Sequence, residues 1–149
     1  MSIHSIKMSE TLKVKKLYSC AHDLCRATSK SVGFDIKSIE DIELLPWNKI
    51  IVKTGISVEP PEGTYIRLAS KSGLAARGVT VEGGVIDPDY TGEVKVILYN
   101  HSNNFVQVRS GMKIAQLIIE KVSFPTLVYV DKLNELTERG DNGFGSSGV

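Results

Sequence analysis

The amino-acid sequence predicts a single all-β domain. Its apolar residues come in short groups rich in β-branched side chains, and turn-forming residues separate these groups at the spacing typical of a sandwich or barrel-like fold. Few windows show the apolar repeat of a helix. The chain has 149 residues, which is the size of one ordinary domain whose core is large enough to fold without disulfides or structural metals.

The predicted strands lie in the middle of the chain. They cover Ile50–Val52, Tyr65–Leu68, Val94–Tyr99, Phe105–Val108 and Ile114–Ile119. Turn formers separate them at Leu45–Asn48, Pro60–Gly63, Asp87–Asp89 and Asn100–Asn104. Two windows could form a single helical turn, Ser72–Arg77 and Asp131–Glu138, the second with Leu133 and Leu136 on one face. Neither window is long enough to organise the core.

Composition excludes several classes of protein. Lys and Arg number 18 against 17 Asp and Glu, for a net charge of +1, which argues against a nucleic-acid binder that relies on overall charge. With 42% hydrophobic residues the chain is not intrinsically disordered. Met1–Lys16 lacks the apolar core of a secretory signal, and the longest apolar runs are far too short to span a membrane. We therefore expect an intracellular protein, cytoplasmic or nuclear, that binds neither nucleic acid nor membrane.

The cysteines indicate a reducing compartment. Cys20 and Cys25 are too few for a disulfide scaffold. Together with His22 they offer three zinc ligands, but no fourth is evident, and structural zinc sites need four. Reduced thiols in a polar surface loop, residues Cys20–Ser31, are the favoured interpretation.

A first segment suited to chemistry follows the predicted strand Tyr65–Leu68. Lys71 and Ser72 are donors for an anion, and Gly73 lets backbone N–H groups approach it closely. An ordinary strand-to-turn junction also explains these residues. The P-loop pattern is absent, so a P-loop enzyme is not predicted.

Two further segments place polar residues beside apolar strands. Asp87 directly follows Val85–Ile86, and a carboxylate held at a strand end by apolar neighbours is suited to act as a general base. A plain β-turn also explains this segment. Gln116 interrupts an apolar strand. It either faces solvent or points inward to a hydrogen-bond partner such as a phosphate oxygen.

The C-terminal segment from Arg139 to Val149 is rich in glycine and serine and carries one large aromatic side chain, Phe144. Such a composition does not hold a fixed shape alone and is typical of a flexible tail. It also suits a loop that becomes ordered over a nucleotide, because it offers glycine N–H groups, one cation and one stacking ring.

In their order along the chain, these segments resemble the five motifs of the homotrimeric deoxyuridine triphosphate nucleotidohydrolases (dUTPases). The matching segments are Gly33–Ile36, Ser70–Leu74, Gly84–Tyr90, Gly111–Gln116 and Arg139–Gly148. The third and fifth are highly specific, and the resemblance runs over nearly the whole chain. It implies a jelly-roll-like β-sandwich, or β-clip, with one short helix.

The resemblance further implies a homotrimer whose active sites are shared between subunits. Residues 1–138 would form the β domain, and residues 139–149 a mobile glycine-rich lid. The implied reaction is hydrolysis of dUTP to dUMP and pyrophosphate with Mg²⁺. This reaction limits uracil incorporation into DNA and supplies dUMP for dTMP synthesis.

The same resemblance implies a role for each matching residue. Asp87 would activate the water that attacks the α-phosphorus, and Tyr90 would pack against the deoxyribose and exclude a 2′-hydroxyl. Asp35 would act on the metal indirectly, through a bound water. The uracil edge would be read by the backbone of Gly84, Val85 and Ile86. The phosphates would be held by Lys71, Ser72, Gly73 and Gln116. The lid would supply Arg139 to the triphosphate, Phe144 to stack on uracil, and Gly145 and Ser146 to complete closure.

The chain departs from the family pattern at several positions. Lys71 and Lys113 stand where arginine is usual, Met112 where an acidic residue is common, and Ser31–Val32 where small residues precede the first motif's glycine. Because lysine lacks the bidentate geometry of arginine, these changes keep open a catalytically weak or silent nucleotide-binding protein. A dCTP deaminase is a further alternative. It would need its own glutamate base and is not expected to carry the C-terminal segment.

Overall fold

The computed structural model describes residues 10–134 and 136–145. These residues form eleven strands and one helix. The strands are β1 (Lys13–Lys16), β2 (Phe34–Lys37), β3 (Ile42–Leu44), β4 (Lys49–Lys53), β5 (Ile56–Glu59), β6 (Thr64–Ala69), β7 (Val79–Glu82), β8 (Val85–Ile86), β9 (Lys95–Asn100), β10 (Val106–Val108) and β11 (Lys113–Lys121), and the helix is α1 (Ser72–Ala76). The predicted all-β fold with one short helix is confirmed.

The strands pair into antiparallel sheets. The largest has the order β2-β11-β6-β8, the second β4-β9-β7, and two strand pairs, β1-β5 and β3-β10, complete the fold. Burial alternates residue by residue along β6 and β9, so each sheet turns one face to the core and the other outward. The fully buried core side chains include Ile36, Leu44, Val52, Ile66, Val96, Leu98, Ile114 and Leu117.

All five predicted strands are present, and each differs from its expected bounds by a few residues at most. The remaining strands were not predicted. β1 has the sequence KVKK and is exposed along its whole length, so it carries no alternation that would reveal it. β8 has only two residues, and pairing with β6 at Ile66 and Arg67 holds it in place.

The predicted helical turn at Ser72–Arg77 is confirmed as α1. The second one, at Asp131–Glu138, is wrong, because the described residues of this window form no helix. Leu133 and Leu136 are 84% and 95% exposed. An isolated turn of this length is unstable unless an apolar face packs against another surface, and among the described residues these two leucines remain almost fully exposed.

The cysteine loop has the expected character. Cys20 and Cys25 are unpaired thiols. Cys20 lies in a turn, and Cys25 forms an isolated β-bridge with Asp35. The Nε2 atom of His22 lies 3.1 Å from the Oγ atom of Ser110. Within residues 10–134 and 136–145, no three His, Cys, Asp or Glu side chains are grouped to hold a metal. Over the same residues, no helix has the length and apolar character to cross a membrane.

The packed body ends where β11 does. The described residues of the C-terminal arm, which we define as residues 123–145, form no helix or strand, and nearly all are exposed. The apolar run Leu127–Val130 is 60–92% exposed, and Phe124 is 72% exposed. The arm thus leaves the body some fifteen residues before the boundary expected after residue 138, and that boundary stays a prediction.

Candidate active site

A polar cavity lies where three neighbouring strands meet. In the sheet order β2-β11-β6, Gln116 pairs with Asp35 on one side and with Ala69 on the other. The chain leaves β6 at Ala69 and reaches Lys71 directly afterwards. The resulting cavity has a volume of about 240 Å³ and is lined by Ala27, Ser31, Val32, Gly33, Asp35, Lys71 and Gln116. It brings together Asp35, Lys71 and Gln116, which the sequence had placed in three different motifs.

Asp35 is the electrostatic centre of this cavity. It is 3% exposed, and its Oδ1 atom accepts a hydrogen bond from the Nζ atom of Lys71. The Nζ atom of Lys113 lies 3.3 Å from Oδ2. Burial raises the pKa of the Asp35 carboxyl, but the hydrogen bonds and charges of Lys71 and Lys113 outweigh burial and leave it below its usual value. Asp35 is therefore a charged acceptor that positions cations.

Gln116 is held in a fixed orientation. Its Nε2 atom donates to the carbonyl oxygen of Ser70 at 3.0 Å. A Cβ atom at Gly33 would lie 2.7 Å from both Cβ and Oε1 of Gln116, so the side chain crosses directly over the bare glycine. Of the two orientations that the sequence left open, the structure shows the hydrogen-bonded one, with a backbone carbonyl as the partner.

The segment after Lys71 starts α1. Ser72 and Gly73 are exposed, and the carbonyl oxygen of Lys71 accepts the first helical bond from the N–H of Ala75 at 2.8 Å. The opening N–H groups of a helix have no partner within it. No atom lies within 4 Å of the position that a Cβ would take at Gly73, so a ligand can approach the backbone there.

A second cleft surrounds the predicted base. It has a volume of about 270 Å³ and is lined by Ile51, Val85, Ile86, Asp87, Tyr90, Glu93, Val94, Lys95 and Ile97. Asp87 begins a turn closed by the bond from the Tyr90 N–H to its carbonyl oxygen at 3.1 Å. The Asp87 side chain is exposed, so this chain alone does not enclose the carboxylate.

The hairpin before Asp87 is fixed by a glycine. The carbonyl oxygen of Gly84 accepts from the Leu68 N–H at 2.7 Å. Gly84 has a φ of +94°, and a Cβ there would lie 2.5 Å from the Leu68 carbonyl oxygen. Only glycine allows this close approach. It places Val85–Ile86 at the edge of the four-stranded sheet. Among the described residues, one side of this strand has no neighbouring strand, and Val85 is 66% exposed.

Tyr90 is anchored by contacts that the sequence did not reveal. Its hydroxyl donates to the carbonyl oxygen of Glu93 at 2.9 Å, and a Cβ at Gly92 would lie 2.6 Å from that hydroxyl oxygen. The Glu93 carboxylate in turn accepts from the Gly55 N–H at 2.9 Å. The ring, which is 46% exposed, is therefore held rigidly beside Asp87. In the sequence, only Gly92, which leaves room for the Tyr90 hydroxyl, could have indicated this anchoring.

The two clefts share no lining residue. Asp87 and Tyr90 line one, Asp35 and Lys71 line the other, and Arg139 lines neither. The Nε atom of Arg139 donates to the Asn142 carbonyl oxygen at 2.8 Å. Phe144 is fully exposed with a φ of 52°. Gly145 is described and exposed, whereas Ser146 lies outside the described residues. Lys113, which the sequence marked only as a departure from the motif, contacts Asp35.

Comparison with known proteins decides the family. A family model described as dUTPase matches residues 19–148. The chain belongs to the dUTPase family. The dUTPase of Arabidopsis thaliana is 48% identical over 142 residues, covering 95% of this chain and 85% of its own length. The dUTPase of Paramecium bursaria Chlorella virus 1 is 44% identical, covering 93% of this chain and 99% of its own.

Solved structures agree with the sequence relatives. A Staphylococcus bacteriophage 80alpha dUTPase, solved with dUPNHPP, superposes with a TM-score of 0.87 at 31% identity, covering 93% of this chain and 99% of its own. A structure of the dUTPase from phage phi11 of S. aureus concerns the coordination of a structural Mg(II) ion, and superposes with a TM-score of 0.78 at 27% identity, covering 83% of this chain and 99% of its own. The jelly-roll-like dUTPase fold expected from the motifs is thus confirmed.

Proposed function

We propose that this dUTPase-family chain hydrolyses dUTP to dUMP and pyrophosphate with Mg²⁺, at sites shared between the subunits of a homotrimer. The observation that carries the proposal is the assembly of two half-sites on one chain. One half-site holds Asp87 and Tyr90 in a rigid turn, and the other holds Lys71 and Gln116 around a buried carboxylate. In the cell this activity would limit uracil in DNA and provide dUMP for dTMP synthesis.

The trimer is supported by what the single chain leaves incomplete. The proposed base and the proposed phosphate-binding residues line separate clefts, which supports a site that a second chain completes by bringing one half-site to the other. The arm exposes Leu127–Val130 and Phe124, and a contiguous apolar stretch of this kind marks a protein–protein contact. A head-to-tail arrangement closes into a ring, in which each arm can cover a neighbour.

In the proposed mechanism Asp87 accepts a proton from a water molecule while the water oxygen attacks the α-phosphorus. The bond between the α-phosphorus and the α,β-bridging oxygen breaks, which releases pyrophosphate. General-base assistance of this kind contributes about 10²–10⁴ in rate. Asp87 is exposed in the single chain, so a neighbouring subunit and the lid would exclude bulk water from it.

Selectivity for a deoxyuridine would come from the hairpin and the turn. The unpaired edge of Val85–Ile86 offers N–H and C=O groups in a fixed pattern, and Gly84 aligns that edge against β6. A mismatched base leaves such groups unsatisfied, which is costly. Tyr90, anchored on the Glu93 carbonyl, would form a wall that a 2′-hydroxyl cannot enter.

The phosphates would be bound by Lys71, Ser72, Gly73 and Gln116. The donor set fits Mg²⁺ that arrives with the triphosphate, because Mg²⁺ keeps several waters and takes one or two carboxylates plus substrate phosphates. The cavity offers one carboxylate, Asp35, which would hold the metal through a bound water. When bound, the ion neutralises triphosphate charge. In the lid, Arg139 would contact the triphosphate, Phe144 would stack on uracil, and Gly145 and Ser146 would close the loop.

The test is pyrophosphate release from dUTP, UTP, dTTP and dCTP in the presence of Mg²⁺. We expect release from dUTP only, and loss of that release in Asp87→Asn. Binding of dUTP without pyrophosphate release would favour a silent nucleotide-binding member of the family. Ammonia released from dCTP would instead identify a deaminase. Cytoplasmic or nuclear location stays a prediction, since the relatives from Dictyostelium discoideum and Homo sapiens are named as mitochondrial.

A further inference from the structure

A β-bulge brings the side chain of Lys113 to Asp35, which lines the polar cavity. In a regular strand, side chains three residues apart face opposite sides of the sheet, so Lys113 and Gln116 should be separated. Between Lys113 and Ala115, however, β11 advances two residues while β2 advances one, from Lys37 to Ile36. This extra residue restores Lys113 to the face that carries Gln116, and its ammonium group comes within 3.3 Å of the Asp35 carboxylate.

Asp35 therefore has two cations where its charge requires one. Lys71 contacts Oδ1 and Lys113 contacts Oδ2. The two lysines are placed differently, because Lys71 lines the cavity and Lys113 does not. The Asp35 side chain is 5% exposed, against 31% for Lys71 and 49% for Lys113. A carboxylate this buried is costly when it lacks a partner.

We propose that Lys113 is a positioning residue, which neutralises Asp35 so that Lys71 can turn from the carboxylate to the triphosphate. The inference rests on the triphosphate binding that is part of the proposed function. Without Lys113, movement of Lys71 to a phosphate oxygen would leave the buried Asp35 carboxylate with no direct cationic partner, because the proposed Mg²⁺ would reach it only through a bound water. Lys71 would then stay on Asp35. With Lys113 in place, one ammonium remains on the carboxylate and the other becomes a phosphate ligand. The bulge is the structural feature that makes this division possible.

The experiment measures binding of α,β-imido-dUTP with Mg²⁺, and of dUMP, by calorimetry. We expect Lys113→Gln to bind the triphosphate analogue about tenfold more weakly, as for loss of one hydrogen bond to a charged group, and to bind dUMP within about twofold of the parent. Lys113→Arg should restore the affinity. Lys121→Gln, a change at an exposed lysine at the far end of the same strand, serves as the control and should bind as the parent does.

A double variant separates this role from a direct phosphate contact. In an Asp35→Asn background there is no carboxylate to neutralise, so adding Lys113→Gln should leave analogue affinity within about twofold. This background also removes the buried charge that could prevent Lys113→Gln from folding. An equal loss in both backgrounds would overturn the proposal, as would parent-like binding by the single variant. A parent protein that binds the analogue but releases no pyrophosphate from dUTP would refute the proposed function without touching the role of Lys113.

Discussion

Replacement of Gly33 by alanine tests how closely the residues that line the polar cavity around Asp35 are packed. The new Cβ would lie 2.7 Å from Cβ and from Oε1 of Gln116, where ordinary contact begins at 3.4 Å. Gly33 is buried, and the atom it would strike at the base of Gln116 moves only if strand β11 moves. The strain is purely steric, since the backbone of Gly33 is not in the left-handed region.

Overpacking of this kind costs about 1–3 kcal/mol. Displacement of Gln116 also breaks its bond to the Ser70 carbonyl, for about 0.5–1.5 kcal/mol more. We therefore expect Gly33→Ala to lower the free energy of unfolding by roughly 2–4 kcal/mol. In urea this moves the midpoint down by roughly 1–2 M. The KM for dUTP should rise, because Gln116 would no longer lie where we propose that the phosphates bind.

The assay is urea unfolding followed by tryptophan fluorescence, at one fixed protein concentration because an oligomer's stability depends on concentration. Gly73→Ala is the matched control for stability. Nothing lies within 4 Å of its Cβ position, and alanine inside a helix is favoured over glycine by about 0.5–1 kcal/mol, so its midpoint should hold or rise. An unfolding midpoint for Gly33→Ala equal to that of the parent, with unchanged KM, would show that the contact between Gly33 and Gln116 does not constrain the cavity.

Three other outcomes follow from the site. Asp87→Asn should lower kcat by about 10²–10⁴ while α,β-imido-dUTP still binds, and Asp89→Asn, a change two residues further along the same turn, should keep most activity; near-normal turnover by Asp87→Asn would exclude Asp87 as the base. Tyr90→Ala should raise UTP hydrolysis relative to dUTP, whereas Tyr90→Phe keeps the ring that we propose blocks the 2′-hydroxyl and should keep the selectivity. The pKa of Asp35 is lowered on folding from 3.8, so its contribution to stability is complete above the unfolded value and is lost as pH falls through the folded one. Asp35→Asn should therefore flatten the acid side of a stability–pH curve from urea unfolding, and an unchanged slope would contradict the Asp35 ion pairs.

The sequence was informative where burial alternates and less so where tertiary contacts decide the structure. Strands β6, β9 and β11 carry enough apolar residues to be predicted from the amino-acid sequence alone. β1 consists of lysines and one valine, and only its pairing with β5 makes it a strand. Likewise, Leu133 and Leu136 indicated the apolar face of a helix, but such a face is stable only when it packs against another surface. Among the described residues, both leucines remain exposed.

The same distinction, between features that the sequence pattern predicts and features that tertiary contacts decide, applies to the candidate site. Lys71, Asp87 and Gln116 could be chosen from the sequence because phosphate and proton chemistry needs cations, a carboxylate and donors; the structure places each beside a cleft, and their roles stay predictions. The position of Lys113 could not be predicted, because strand periodicity places its side chain on the sheet face opposite Gln116. Only the bulge brings it to the same face. The anchoring of Tyr90 on a backbone carbonyl was equally hidden, since any residue at position 93 supplies a carbonyl.

The length of the arm gives a physical reason for placing the lid on a neighbouring subunit. A fully extended chain from residue 123 to 139 spans at most about 55 Å, while a body of this size has a radius of gyration of about 15 Å. The described arm already leaves the body in an exposed course, with Phe124 and Leu127–Val130 bare to solvent. If the arm covered its own subunit, these apolar side chains would be expected to pack on the body, whereas they are exposed. If those side chains instead dock on a neighbour, they fix where Arg139 and Phe144 can reach. The arm would then be part of the active site although none of its residues touches the substrate before Arg139.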